Sequence, residues 1–206
     1  MSATDTQFSK ARLEMLCDGI FAIAMTLLVL ELKPPDLPRQ AASAEIWHAL
    51  REHGLAFFGF ALSFLIAGQF WILHHVSFNY LHRANRSLAL LTIPFLMFVS
   101  LLPFSTSMLT AFTLRQPVGL LFYFGNQFML ALLLAAQWLL ASRQGLLTES
   151  DGSRKRRQFE LMICLQPVSF ALSIALVFIA PGQAMLGLAS TQAIIGLASR
   201  RVAARR

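Results

Sequence analysis

Charge is what this chain has least of. Only 13% of its 206 residues are Asp, Glu, Lys or Arg, while 56% are hydrophobic. That is too little charge to cover a soluble domain of this size, and the long apolar runs place the chain in the membrane class. Cysteine is equally scarce. Cys17 and Cys164 both fall in apolar runs, which excludes a disulfide framework and any metal-type cysteine spacing. Several functional signatures are missing too. There is no P-loop, no GxSxG, no HExxH, no TVGYG-type carbonyl filter and no Arg-rich voltage sensor. The centres of the apolar runs carry no chain of acids of the kind proton pumps use. No A-x-A-like cleavage site follows the first apolar run, which contains an acid and ends at Pro34-Pro35, so it reads as a retained span.

What remains is a series of apolar runs, each about 20 residues long, the length that crosses a bilayer as a helix. Six are expected: 13–32, 55–78, 88–109, 118–141, 159–180 and 184–199. The fold class that follows is all-α, one six-span domain over 1–206 without an internal repeat. Pro94 and Pro103 in the third run and Pro167 in the fifth should kink their helices and free a carbonyl. The short "APGQ" turn, 180–183, should join the last two runs as a hairpin. Between the first two runs, "AEIWHALREHG" suggests a short interfacial helix, with Trp47 suited to the headgroup region.

The net charge is +7. With six spans, thirteen Lys and Arg fall on the side of the termini and four on the other. The positive-inside rule then puts both termini in the cytoplasm. The "RKRR" run at 154–157 reads first as topogenic; an anionic-lipid or nucleic-acid patch is the sharper alternative. Nucleic acid is not an expected partner.

The first run, "LCDGIFAIAMTLLVLEL", holds most of the information. At 100° per residue Ile23, Leu27 and Leu30 share one stripe, which Leu16 and Ile20 extend, with Thr26 near its edge. Ordinary packing or lipid contact would explain such a stripe. Gly19, Ala22 and Ala24 allow close helix approach, as does the Gly187, Ser190, Ala193, Gly196, Ser199 series of the sixth run. Arg12, Glu14 and Asp18 crowd the start. Arg12 and Asp18 project about 240° apart, so Asp18 is expected to find its partner on another span. Arg12 and Glu14 either snorkel to the interface or join the bundle. The second run ends in "FWILHHVSFNYLHR", supplying Trp71, His74, His75 and His82, and one of the adjacent histidines is a candidate partner for Asp18. A metal site is disfavoured: His75 and His82 share a face but lie about 10 Å apart along a helix, too far for one ion. Neither a metal nor a cofactor is expected.

"RLEMLCDGIFAIAMTLLVLELKPP" resembles the R-x-x-x-F-S-D signature, and the apolar run after it, of the lysosomal potassium channel family (transmembrane protein 175), in its short bacterial branch. Arg12 and Asp18 correspond to the motif's Arg and Asp, with Leu16 in place of Phe and Cys17 in place of Ser. "FWILHHVSFNYL" and Pro103-Phe104 resemble the family's Trp-x-x-His-His region and the Pro-Phe near the end of its third span. Thr92 stands where Asn is common. The resemblance covers the first three spans. It implies a homotetramer in a bacterial inner membrane, with the first helix of each subunit lining a central pore that has no selectivity loop. Ile23 would be the narrowest ring, with Leu27 and Leu30 as further rings and Thr26 as a polar layer. Arg12, Cys17, Asp18, Trp71, His74 and His75 would form a cytoplasmic structural network. The permeant ion would be potassium, with sodium, caesium and rubidium as further candidates. Two rival classes stand beside this non-enzymatic reading. One is a secondary or proton-coupled transporter using Asp18 and His74 or His75; the other is an intramembrane metal enzyme built on the histidines.

Overall fold

The structure is a computed structural model that describes residues 9–38, 40–112, 116–148, 153–180 and 183–184. Apart from Ala184, the expected sixth span and its small-residue series lie outside the described residues. So do Pro181 and Gly182 of the turn that would lead into it.

Helix α1 spans Lys10–Leu27 and starts where the Ser9 hydroxyl accepts the Arg12 N–H at 3.4 Å. It tightens into a 3-10 turn, Leu28–Glu31, before the Pro34-Pro35 pair that no helix can run through. The suggested short helix forms as α2, Ser43–Glu52, whose Glu45 carboxylate accepts the Ala42 N–H at 3.2 Å. Helix α3, Gly54–Asn79, is the second span.

The third run differs from a single span. It consists of α4, Arg86–Ser100, and α5, Leu102–Phe112, separated at Leu101. Pro94 sits inside α4 without ending it, whereas Pro103 stands at the second residue of α5. Without an N–H, Pro103 cannot bond the Val99 carbonyl four residues back; the carbonyl that Asn126 takes up at this break is that of Phe98, one residue earlier. Asn126 reaches in from the next span to both sides of the break, donating to the Phe98 carbonyl at 3.3 Å and the Ser105 hydroxyl at 3.4 Å. A carbonyl freed inside lipid must find such a partner within the protein.

Helices α6, Val118–Arg143, and α7, Ser153–Ile179, complete the described bundle. Among the described residues, five segments are long and apolar enough to cross a membrane, with α4 and α5 counting as one. The chain is a multi-pass membrane protein. Helix α6 is the hub, packed against α3, α4, α5 and α7, while α1 lies against α3, α4 and α5. Large rings fill the interior, among them Phe21, Phe70, Phe95, Tyr123, Trp138 and Phe170. Beside them a hydroxyl knot ties three spans together: Ser63 lies 3.1 Å from the Tyr123 hydroxyl and 2.8 Å from Thr106.

Candidate functional site

Helix α1 has two faces, and its neighbours take only one. Leu13, Cys17, Phe21, Ala24 and, in the 3-10 turn, Leu28 are buried, at spacings of three and four that keep them on one side. The stripe read from the sequence lies away from them, except at Ile20, which is half-buried against the core. Ile23 is 60% exposed, Leu27 41% and Leu30 66%, and Leu16 and Thr26 are exposed as well. Of the three small residues, Ala24 alone meets the bundle; Gly19 and Ala22 point outward. The Thr26 hydroxyl donates to the Ile23 carbonyl at 2.8 Å, which commits its proton and leaves its lone pairs facing outward.

A polar ladder fixes the opening turns of α1 against α3. The Trp71 indole N–H donates to the Asp18 carboxylate at 2.9 Å, and His75 Nδ1 lies 3.6 Å from the Glu14 carboxylate. Glu14 and Asp18 are four residues apart on α1, as are Trp71 and His75 on α3. Residues four apart share a helix face, so two antiparallel helices meet through two rungs in register. The Trp71 and His75 rings stack with centroids 5.9 Å apart, which closes the ladder on the α3 side.

The partner of Asp18 is therefore on another span, as expected, but it is Trp71 rather than a histidine. His74 faces the interior, 1% exposed, among Phe21, Phe78 and Phe95, with the Phe95 ring stacked at 5.4 Å. Among the described residues its Nε2 has no hydrogen-bond partner. Cys17 is fully buried and lies beside the ladder without forming a rung. The Arg12 side chain is exposed, and among the described residues its guanidinium joins neither rung. Glu14 is the member the sequence left undecided. Its spacing of four from Asp18 is the signal that places it. Among the described residues no cluster of three or more His, Cys, Asp or Glu could hold a metal.

Residues 12–103 match the family described as the endosomal/lysosomal potassium channel TMEM175. A protein of Streptomyces collinus named as a potassium channel is 31% identical over 174 residues, which is 82% of each chain. The chain belongs to the TMEM175 family. The matched segment runs from Arg12, in the first turn of α1, to Pro103 at the break in the third span, so it takes in the ladder and the outward stripe. The human endosomal/lysosomal proton channel TMEM175 is 34% identical over 114 residues, 53% of this chain and 22% of that one. The crystal structure of a lysosomal potassium-selective channel TMEM175 homolog from Chamaesiphon minutus superposes with a TM-score of 0.76. It covers 94% of this chain and 97% of the other at 22% identity. At that identity the likeness establishes the TMEM175 fold and not the chemistry of individual positions.

Proposed function

We propose that the protein is a potassium-permeable cation channel in which α1 of each of four subunits lines a central pore. The observation that carries this reading is the outward stripe of α1: a helix held by three neighbours on one side presents Ile23, Leu27 and Leu30 on the other. Family membership and the potassium-channel relative support the same reading. A ring of four Ile23 side chains closes a pore by dewetting, with no charge and no large backbone movement. Leu27 and Leu30 form further rings. Thr26 is the polar layer; with its proton held by the Ile23 carbonyl, its oxygen replaces part of a cation's hydration shell. With no carbonyl filter, discrimination among potassium, sodium, rubidium and caesium is softer than in filter-bearing channels. The ladder is the anchor that sets each α1 against α3, and Asp18 is part of that anchor, not an ion site. The protein sits in a bacterial inner membrane with both termini cytoplasmic, following the distribution of Lys and Arg.

Substituting Ile23 with Asn should raise leak current in planar bilayers and weaken potassium–sodium discrimination under bi-ionic conditions. Unchanged conductance would remove Ile23 from the pore. Asp18→Ala should lower the yield of tetramer on size exclusion before it alters permeation. Normal assembly with altered selectivity would make Asp18 a pore residue. The rival proton-coupled transporter needs a relay through Asp18 and His74 or His75. The Phe21, Phe78 and Phe95 rings around His74, and the indole that occupies Asp18, argue against the His74 form of that relay.

A further inference from the structure

At one end of the bundle the connections between α3 and α4 and between α6 and α7 are stitched together. The His82 N–H donates to the Leu146 carbonyl at 3.0 Å and the Thr148 N–H to the Tyr80 carbonyl at 2.8 Å, around an antiparallel Leu81–Leu147 bridge. Leu81, Ala84, Leu146 and Leu147 are buried beneath it. Side chains add to the seam. The Asn85 side-chain amide donates to the Gln144 side-chain oxygen Oε1 at 2.7 Å, Arg156 to the Ser142 hydroxyl at 3.3 Å, and Lys10 of α1 to the Leu81 backbone carbonyl at 2.8 Å.

The seam gathers basic residues that the sequence distributes over two loops. Arg83, Arg86, Arg143, Lys155 and Arg157 are all exposed, and among the described residues no carboxylate pairs with any of them. Along the sequence, segments 80–87 and 142–160 hold seven Lys and Arg against three acids. Setting the orientation of a membrane protein requires only that such charges flank the spans; it does not require the two connections that carry them to be stitched together. From the corner, the outward face of α6 descends through Leu139 and Leu132, both exposed. Leu132 to Arg143 spans about 16 Å of helix, close to half the roughly 30 Å hydrocarbon core.

A cationic head site above an apolar strip one leaflet deep matches a single chemistry. We infer that this corner is a binding site for an anionic phospholipid, whose phosphate is held by the exposed Arg and Lys side chains while an acyl chain lies along α6. The site uses neither the stripe nor the ladder of α1, so it stands independently of the conduction reading.

Native mass spectrometry of the purified full chain, offered equimolar phosphatidylglycerol and phosphatidylcholine, tests the site. Phosphatidylglycerol should be retained preferentially. Arg143→Gln and Arg86→Gln should each lower that retention about fivefold, while Arg51→Gln in α2, outside the corner, leaves it unchanged. Raising the salt to about 1 M, where screening acts within about 3 Å, should erase the preference. Equal retention of the two lipids, retention unaffected in both corner variants, or equal loss in Arg51→Gln overturns the proposal. Displacement of the lipid by a short oligonucleotide would also overturn it and reassign the corner to nucleic acid.

Discussion

Asp18 and His74 show how one residue's neighbours decide its work. A carboxylate in a span is costly unless it is hydrogen-bonded, and the Trp71 indole meets that requirement at 2.9 Å. Trp71→Phe keeps a ring against His75 but deletes the donor. Its expected cost is about 1 kcal/mol, read as a lower thermal midpoint and a smaller tetramer fraction in detergent. Unaltered assembly with altered permeation would count against the anchor. His74 is the opposite case, a buried ring whose Nε2 has no partner among the described residues. Replacing a buried unsatisfied group by an apolar one of similar shape is neutral or stabilising. His74→Phe should therefore hold or raise the thermal midpoint and leave potassium flux intact. Loss of proton-coupled uptake in that variant would restore the transporter reading. The sequence showed that Asp18 needed a partner and offered His74 or His75, whereas the partner is Trp71. Only the rotation of α3 about its axis, which sends His74 inward and Trp71 and His75 toward α1, selects among them.

At the scale of elements, the third span is the least regular. Pro94 and Pro103 were both visible as possible kinks, but the chain breaks near Pro103 alone, where Asn126 stands ready to take up a carbonyl. The contribution of Asn126 comes from a different helix, so no local pattern could announce it. Close by, α3 crosses α5 at Gly59. A Cβ there would lie 2.5 Å from Thr110 Cγ2, a methyl on a β-branched side chain with little rotamer freedom in a helix. Gly59→Ala should destabilise the protein by about 1–3 kcal/mol, measured as a drop in the thermal midpoint. Gly125 is the control: nothing lies within 4 Å of a Cβ added there, and Gly125→Ala should be stabilising by up to about 1 kcal/mol. An equal drop at both sites would mean that the α3–α5 crossing is looser than its geometry. Helix α1 carries the complementary lesson. Periodicity placed Ile23, Leu27 and Leu30 on one stripe but gave no reason to prefer a pore over packing. The choice of Cys17, Phe21 and Ala24 as the buried face leaves that stripe outward.

For the whole molecule, the proposal of a central pore makes a prediction about mass. Light scattering of the detergent-solubilised protein should give four copies of the 22.9 kDa chain; a stable monomer or dimer that still conducts would exclude a pore shared by four first helices. The spans themselves were legible because a bilayer admits few backbone solutions. Runs of about 20 apolar residues must form helices whose hydrogen bonds close internally, and the four expected at 55–78, 88–109, 118–141 and 159–180 coincide with α3, α4 with α5, α6 and α7 to within a few residues at most ends. Apart from Ala184, the sixth lies outside the described residues. Helix order, hub and rotation were not legible, since apolar side chains suit lipid and protein alike and hydropathy carries no record of which faces which. The sequence by itself therefore determined that this is an all-helical membrane protein of the TMEM175 family, with an acid at the start of its first span that had to be partnered. Only the tertiary structure decided that Trp71 is that partner, that His74 is enclosed by phenylalanines, and that two basic loops are stitched into one corner. The physical reason is that hydropathy acts residue by residue along the chain, whereas a hydrogen bond or an orientation exists only between helices already packed.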